Sequence, residues 1–249
     1  MNIKENSRIL KLSYIFNNYE KEIRDAQKNG TDIGKFLDEI LEKEINQRKE
    51  NGIKKRIRYA KFPIKKYLED FDRKIYKPEF IKEFSELESL NFINEKENII
   101  LIGTPGAGKT HYAIGLGIKA CIEGKSVLFV SVPNLIIELK EAMSRSQLTA
   151  YKRKFEKYDL VILDELGYVS FDKEGCEILF NLLSNRNDKG SIIITTNLTF
   201  DRWEEIFKDA MLTGAMVDRL AYKAHILDLS RDISHRYEET VSWKNSKNM

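Results

Sequence analysis

The segment Gly103-Thr104-Pro105-Gly106-Ala107-Gly108-Lys109-Thr110 matches the pattern G-x-x-x-x-G-K-[ST] and decides the fold of this chain. The apolar run 98–102 precedes it, and residues 111–123 can form a helix that stops at Gly124. Glycines let such a loop curl until its backbone N–H groups face phosphate oxygens, and the helix N-terminus adds its dipole. The sequence therefore predicts a phosphate-binding loop, with Lys109 on the β- and γ-phosphates and the Thr110 hydroxyl on Mg²⁺.

Short apolar runs alternate with helical stretches from residue 98 onward. After the first run come four more, at 126–130, 160–163, 192–195 and 225–229. Each run is nearly all apolar rather than alternating, which is typical of strands that are covered on both faces. We therefore expect an α/β class fold with a doubly wound, parallel, five-stranded sheet.

Polar residues end two of these predicted strands. The run 160–163 leads directly into Asp164 and Glu165, and the run 192–195 leads to Asn197. At the carboxyl edge of a sheet, Asp164 can share the Mg²⁺ shell with Thr110, while Glu165 orients or deprotonates the attacking water. Asn197 can bond the γ-phosphate or that water. These residues predict the chemistry of phosphoryl transfer from ATP to water.

The first 70 residues are predicted to be helical and polar. Apolar residues recur at three-four spacing from Ile33 to Ile45, and Thr31-Asp32 offers an N-cap. We expect this helix to stop at Asn51-Gly52 and a second helix to cover 53–60 before Pro63. The predicted division is a helical basic N-terminal domain, residues 1–69, and a P-loop domain, residues 70–249.

Positive charge is concentrated in one stretch. Residues 43–66 contain ten basic and two acidic side chains, a net charge of +8 in a chain of +3. A basic stretch on an acidic body suggests a polyanion partner, and phosphate contacts would make binding to double-stranded DNA largely independent of sequence. The predicted DNA-binding residues are Lys54, Lys55, Arg56, Arg58 and Lys61, and, from a second basic stretch at 140–157, Lys152, Arg153 and Lys154.

The sequence contains no signal for export or membrane insertion. No apolar run reaches the ~18 residues that cross a bilayer, and no apolar segment follows the charged N-terminus. We expect a cytoplasmic protein with no membrane partner, in which the two cysteines, Cys121 and Cys176, are reduced and buried.

These motifs resemble AAA+ ATPases of the initiator and helicase-loader branch. Finer features resemble the IstB type, the ATP-binding helper proteins of insertion-sequence transposition. The segments that carry this likeness include 98–103, Lys109-Thr110-His111, 164–168, 196–200 and 215–220, together with Trp203 and the basic leader. The likeness spans roughly residues 10 to 240.

The resemblance implies roles for individual residues. Asn197 would be the first sensor, and Arg219 would be an arginine finger that reaches the γ-phosphate of a neighbouring subunit in an ATP-dependent homo-oligomer. Residues 103–111, His111 included, and Asp164 would bind nucleotide, and Phe71, Asp72 and Phe84 would lie near the adenine. Arg236 resembles a second sensor more loosely, and Arg186 is another candidate for a subunit contact. Little or no lid domain would follow the last strand.

Several functions share this set of residues. The resemblance favours an ATP hydrolase that binds duplex DNA and assists a transposase. The alternative is a loader whose partner is a replicative helicase. A P-loop kinase for small molecules does not explain the Asp164-Glu165 pair or the basic leader. Intact Lys109, Asp164 and Glu165 argue against a nucleotide-gated scaffold that binds ATP and scarcely hydrolyses it, although slow turnover stays open.

Overall fold

A computed structural model of the chain describes residues 2–186 and 188–230, which fall into two compact units with a boundary between residues 55 and 56. The predicted division at residue 69 lies further along, inside the second unit. Residues after 55 pack there because Arg56 Nε donates to the Cys121 carbonyl (2.7 Å) and the Ala60 carbonyl accepts from the N–H of Phe129 (2.7 Å). The assignment of separate functions to two domains stays a prediction.

The first unit is held together by a buried carboxylate. Glu44 accepts hydrogen bonds from the N–H groups of Ser13 (3.0 Å), Tyr14 (2.7 Å) and Ile15 (3.1 Å), which open the second helix. Arg48 pairs with the same carboxylate at 3.1 Å. Glu44 thus caps a helix whose own sequence provides no capping side chain. The helices are α1 (Ile3–Ile9), α2 (Ser13–Asn29) and α3 (Ile33–Tyr59), the last of which ends in the second unit.

The predicted break at Asn51-Gly52 is wrong, because α3 continues through it to Tyr59. A single glycine inside a helix costs only about 1 kcal/mol, and the surrounding lysines, arginines and glutamates are good helix formers. The predicted N-cap is confirmed, since Asp32 Oδ2 accepts from the N–H of Gly34 at 2.9 Å.

The second unit contains a five-stranded sheet in which every neighbouring pair is parallel, and the strand order is β2-β3-β4-β1-β5. This confirms the predicted doubly wound sheet. The strands are β1 (Asn98–Ile102), β2 (Val127–Ser131), β3 (Leu160–Leu166), β4 (Ser191–Thr196) and β5 (Ala224–Asp228). The helices are α4 (Pro78–Glu88), α5 (Asn91–Glu95), α6 (Lys109–Ile122), α7 (Val132–Ser144), α8 (Leu148–Phe155), α9 (Lys173–Ser184), α10 (Glu204–Phe207) and α11 (Ala210–Ala221), and 3₁₀ turns occupy Leu68–Asp70, Arg73–Ile75 and Phe200–Arg202.

Apolar side chains cover both faces of the sheet, which explains why the strands lack alternation. In β1, Ile99 and Leu101 pack into one core and Ile100 and Ile102 into the other. β1 lies between β4 and β5, and the nucleotide motif follows it directly, so the motif lies at the carboxyl edge of the sheet.

Both cysteines are buried and free, as predicted. Burial raises the pKa of the Cys121 thiol to about 11, so this thiol is an inert core group at neutral pH. Within residues 2–186 and 188–230, no helix combines the length and the apolar character that a membrane span needs.

Candidate nucleotide site

The loop from Gly103 to Gly108 lies between β1 and α6 with three glycines at positive φ. Gly108 has φ 82°, and a Cβ there would lie 2.4 Å from the Tyr76 hydroxyl and 3.0 Å from the Phe71 ring. Both the backbone conformation and the lack of room therefore exclude other residues at this position. The loop ends at the N-terminus of α6, which is a favourable place for phosphate.

The Lys109 side chain is buried against the loop that precedes it. Its ammonium group donates to the carbonyl oxygens of Gly103 (2.6 Å) and Thr104 (2.9 Å). A buried ammonium is costly unless it is bonded, and these contacts offset that cost and hold the side chain in place. Lys109 is thereby held beside the loop and in the lining of the cavity, and its role on the phosphates stays a prediction.

Three oxygen groups meet at the carboxyl edge. Asp164 Oδ1 accepts from the hydroxyls of Thr110 (2.9 Å) and Thr195 (2.5 Å). The carboxylate is buried, and Thr110 opens α6 beside it. A hydroxyl and a carboxylate at this distance are the hard oxygen ligands that suit Mg²⁺ next to a phosphate loop. The structure therefore brings together the two residues predicted to bind metal.

Glu165 is exposed beside the buried Asp164 and adopts a left-handed backbone conformation, with φ 64°. This conformation is uncommon for residues other than glycine and is concentrated at functional sites. The N–H of Glu165 donates to Thr195 Oγ1 at 3.0 Å, and its side chain lines the nucleotide cavity. The geometry leaves this carboxylate available to a water in the cavity.

Asn197 follows β4 next to the acidic loop. Its Oδ1 is buried and has no hydrogen-bond partner among the residues that the structure describes. A Cβ at Gly167 would lie 3.0 Å from this oxygen, so the loop after Glu165 passes directly against the amide. A buried polar atom without a partner is unusual and fits a group that bonds a ligand or a water.

A cavity of about 550 Å³ opens in front of the loop, large enough for a nucleotide. Phe71 stacks on Tyr76 with ring centroids 5.3 Å apart, and the Tyr76 hydroxyl donates to the Ala107 carbonyl at 2.7 Å. His111 also lines the cavity, and its Nε2 lies 3.0 Å from the Tyr67 carbonyl oxygen. The predicted residues that line the cavity are Pro105, Gly106, Ala107, Gly108, Lys109, Thr110, His111, Glu165, Phe71 and Asp72. The lining residues that were not predicted are Ile64, Lys65, Lys66, Asp70, Ile75, Tyr76, Ile114, Tyr168 and Thr195.

Phe84 was predicted near the adenine, but it packs behind the cavity. Its ring is fully buried and meets Phe71 edge-on at 5.4 Å. The Tyr112 hydroxyl donates to its carbonyl at 3.1 Å. Phe84 therefore supports the aromatic wall that faces the nucleotide, and it does not form that wall itself.

Arg219 lies far from the phosphate loop of its own chain. Its guanidinium donates to the Ser184 hydroxyl and lies over the Phe180 ring, 4.5 Å from the centroid. The adjacent Leu220 carbonyl accepts from Asn98 Nδ2 at 3.3 Å, which places this end of α11 at the amino edge of the sheet. Arg219 is therefore not in the lining of the nucleotide cavity of its own chain, and its role as an arginine finger stays a prediction.

Arg186 was predicted as a candidate for a subunit contact. That prediction is wrong, because the side chain is buried inside its own chain. Its side chain is fully buried and donates to the carbonyls of Phe155 (2.8 Å), Tyr158 (2.6 Å) and Ser191 (3.2 Å). Burial lowers the pKa of this guanidinium to about 10, and it stays charged at neutral pH. Arg186 is a structural residue. Arg236 and the segment predicted to lack a lid lie outside the described residues.

The predicted DNA-binding residues differ in the contacts that their charged groups make within the protein. Arg56 is part-buried on the Cys121 carbonyl, Arg58 lies over the Tyr59 ring at 5.2 Å, and Lys61 is 3.5 Å from Glu138. Among the other basic residues, Lys54 pairs loosely with Glu50 at 3.7 Å in water-exposed positions. The remaining predicted residues lie on two helices: Lys55 on α3, and Lys152, Arg153 and Lys154 on the last turn of α8.

Comparison with known sequences gives a consistent result. The family model described as IstB-like ATP binding protein matches residues 6–241. An ATP-binding protein of insertion sequence IS21 from Pseudomonas aeruginosa is 36% identical over 230 residues, covering 92% of this chain and 86% of that protein. An ATP-binding protein of insertion sequence IS5376 from Geobacillus stearothermophilus is 34% identical over 214 residues, covering 86% of this chain and 85% of the relative.

Solved structures with the same fold belong to AAA+ initiator and loader proteins, which confirms the predicted fold class. The DnaI structure has a TM-score of 0.56 at 20% identity and covers 66% of this chain and 90% of its own. The DnaC helicase loader has a TM-score of 0.51 at 21% identity, with coverage of 61% and 93%. AMPPCP-bound DnaA from Aquifex aeolicus has a TM-score of 0.58 at 16% identity, and the match covers 74% of this chain and 56% of DnaA.

Proposed function

Since the chain belongs to the IstB-like ATP binding protein family and has an ATP-binding AAA+ domain, we propose that it hydrolyses ATP on duplex DNA and thereby assists a transposase. The hydrolysis rests on one observation above all. Asp164 accepts the Thr110 hydroxyl at 2.9 Å directly beside the buried Lys109, with Glu165 next to it in the cavity. Such a set of groups suits the transfer of a phosphoryl group to water.

Each group has a separate part in the proposed reaction. Lys109 and the loop N–H groups hold the phosphates, and Thr110 and Asp164 would hold Mg²⁺, which neutralises charge on the phosphate oxygens. Glu165 orients the water and accepts its proton as the new P–O bond forms and the bond to the leaving ADP oxygen breaks. Asn197 donates its amide to the γ-phosphate or the water.

We also propose that ATP binding assembles several subunits. Arg219 lies at the amino edge of the sheet, so it would serve a neighbour's nucleotide and couple turnover to assembly. Its contact with Ser184 and with the Phe180 ring holds the guanidinium on the surface of α9 and α11 in a defined position.

Duplex DNA is the proposed polyanion, contacted by the basic residues of α3 and α8. Such contacts fix the position of a backbone and contain little sequence information. The relatives that support a role in transposition are named as insertion-sequence ATP-binding proteins and are 34–36% identical over most of the chain. The alternative partner, a replicative helicase, is suggested by the DnaC structure, but a likeness at 21% identity supports the shared fold alone.

A pair of isosteric variants tests the hydrolysis. Asp164→Asn removes the carboxylate charge, so we expect turnover to fall by about 10²-fold or more in a phosphate-release assay. Asp209→Asn is the matched control, because Asp209 caps α11 by accepting the Leu212 N–H at 2.8 Å and asparagine caps equally well. If Asp164→Asn turns over ATP like the control, the site has been assigned wrongly.

The partner is tested separately by co-purification on DNA. The wild-type protein is incubated with ATP, a biotinylated duplex and either an IS21-type transposase or a replicative helicase. We expect ATP-dependent retention of the transposase. Retention of the helicase instead would support the loader function and exclude the proposed one.

A further inference from the structure

The pairing of β3 with β4 is interrupted where the two carboxylates occur. Regular pairs run from Leu160–Ser191 to Leu163–Ile194, and pairing resumes at Leu166–Thr196. Two residues of β3, Asp164 and Glu165, therefore lie opposite the single residue Thr195. Such a bulge leaves backbone groups without their ladder partners, and bulges are common beside active sites because they redirect side chains.

The Thr195 side chain compensates for this interruption. Its Oγ1 accepts from the Glu165 N–H at 3.0 Å, while its hydroxyl hydrogen is donated to Asp164 Oδ1 at 2.5 Å. Thr195 is only 1% exposed, so water does not replace either bond. One hydroxyl thus satisfies the strained backbone of Glu165 and fixes the orientation of the Asp164 carboxylate.

We propose that Thr195 is the positioning residue of the hydrolytic site, an inference that rests on the proposed ATP hydrolysis. Thr110 is the other donor to Asp164 Oδ1, but its oxygen is also a predicted metal ligand. Thr195 is not a predicted metal ligand, so it bonds the Asp164 carboxylate whether or not Thr110 binds the metal. Through the Glu165 N–H, it also fixes the backbone that points the second carboxylate into the cavity.

The need for a hydroxyl at position 195 can be separated from the need for its shape. Valine is nearly isosteric with threonine, but it leaves a buried N–H and a buried carboxylate oxygen without this partner, and such unsatisfied groups are costly. Serine keeps the hydroxyl and loses only a methyl group. A positioning role therefore predicts failure of Thr195→Val and rescue by Thr195→Ser.

The experiment measures two quantities in the full-length protein. One is metal coupling, which is the gain in nucleotide affinity when Mg²⁺ is added, and the other is ATP turnover. A fluorescent, non-hydrolysable ATP analogue is titrated in EDTA and in Mg²⁺, and phosphate release is measured separately. For Thr195→Val we expect analogue affinity in EDTA within about twofold of wild type, a gain on adding Mg²⁺ that is at least about fivefold smaller, and kcat lower by at least about tenfold. Thr195→Ser should restore both quantities to within about threefold.

Ser191→Ala is the matched control, since Ser191 lies at the other end of β4 and donates its buried hydroxyl to the Phe92 carbonyl at 3.0 Å. It should lower the melting temperature without changing metal coupling. If Thr195→Val does not fold, Thr195→Ala is measured with the same expectation.

Three results would overturn the inference: wild-type coupling and kcat in the hydroxyl-free variant, failure of serine to rescue, or an equal defect in the control. If the wild-type protein itself neither couples Mg²⁺ to nucleotide nor releases phosphate, the proposed function fails instead.

Discussion

Four exposed or partly paired cations at the end of α3 and just after it provide the sharpest test of the DNA proposal. The variant replaces Lys54, Lys55, Arg58 and Lys61 with alanine. Arg56 is left in place because its guanidinium donates to the Cys121 carbonyl at 2.7 Å, so its removal would disturb packing as well as charge. ATP binding should survive, since none of the four residues lines the nucleotide cavity.

The expected size of the effect follows from counterion release. Each phosphate contact adds about 0.9 to the slope of log affinity against log salt, so four lost contacts flatten the slope by up to about 3.6 per subunit. Between about 50 and 200 mM salt, wild-type affinity should therefore fall by about 10²-fold more than that of the variant. Several subunits on one duplex would enlarge the difference through avidity.

The assay is fluorescence anisotropy of a labelled duplex, titrated at several salt concentrations in the presence of a non-hydrolysable ATP analogue. A matched control removes the same charge from Lys35, Lys77, Lys82 and Lys173, each with its side chain at least 71% exposed and loosely paired with a nearby glutamate. The control should keep the salt slope. Two unrelated duplex sequences should be weakened alike, because backbone contacts read no bases.

DNA binding by the end of α3 is refuted if the quadruple variant and the control bind with the same affinity and the same salt slope. The basic end of α8, with Lys152, Arg153 and Lys154, would then be the remaining candidate surface. A steep slope lost only when those three residues are replaced would assign DNA binding to α8.

Four other changes have defined outcomes. Lys109→Ala should weaken ATP binding about 10- to 100-fold in a fluorescence titration, because a charged donor to the phosphates is lost; affinity within about twofold of wild type would place the phosphates elsewhere. Glu165→Gln should retain ATP affinity, slow phosphate release by about 10²-fold or more and prolong complexes on DNA; unchanged turnover would remove Glu165 from the mechanism. Arg219→Ala should be inactive alone but regain activity when mixed with Lys109→Ala, since each subunit provides what the other lacks; no recovery on mixing argues against an arginine in trans. Arg186→Met should lower stability by about 3 kcal/mol in urea unfolding by leaving buried carbonyls unpaired, whereas unchanged unfolding would refute its structural role.

The fold was predictable because strands that are buried on both faces appear in the sequence as short apolar runs. Each of the five strands contains a short apolar run, and the loop motif follows the first of them directly. The stop at Gly52 was predicted wrongly, because a local glycine signal competes with a long run of good helix formers on either side. The capping of α2 by Glu44 was not predictable, since this bond joins residues about thirty positions apart.

The acidic part of the site was predictable, because Asp164 and Glu165 directly follow an apolar run. The role of a threonine was not predictable, because two chemically equal threonines follow one another in β4. Thr195 and Thr196 are adjacent and identical in composition, yet only Thr195 faces Asp164, while the Thr196 hydroxyl accepts from the Leu198 N–H at 3.1 Å. Neighbouring residues of a strand point to opposite faces, which separates the two hydroxyls. The bulge in β3, which shifts the register by one position between Leu163 and Leu166, also brings the Glu165 N–H to Thr195 Oγ1. A bulge has no signature in this sequence, so only the structure shows that one hydroxyl bonds both the Asp164 carboxylate and the Glu165 N–H.

The sequence also does not show how each basic residue is surrounded, and this matters for the DNA proposal. A count of charge treats Arg56, Arg186 and Arg219 alike, but the structure gives them three different surroundings. Arg186 is a fully buried tie between backbone carbonyls, Arg56 donates to a helix carbonyl, and Arg219 lies over an aromatic ring at the amino edge. The charge offered to a polyanion is therefore smaller than the sequence total, and it is weighted toward lysines. A lysine contacts phosphate as a mobile point charge, whereas an arginine contacts it as a bidentate fork. The basic residues of α3 and α8 should therefore attract DNA regardless of its sequence. The dependence of affinity on salt is the main experimental sign of such binding.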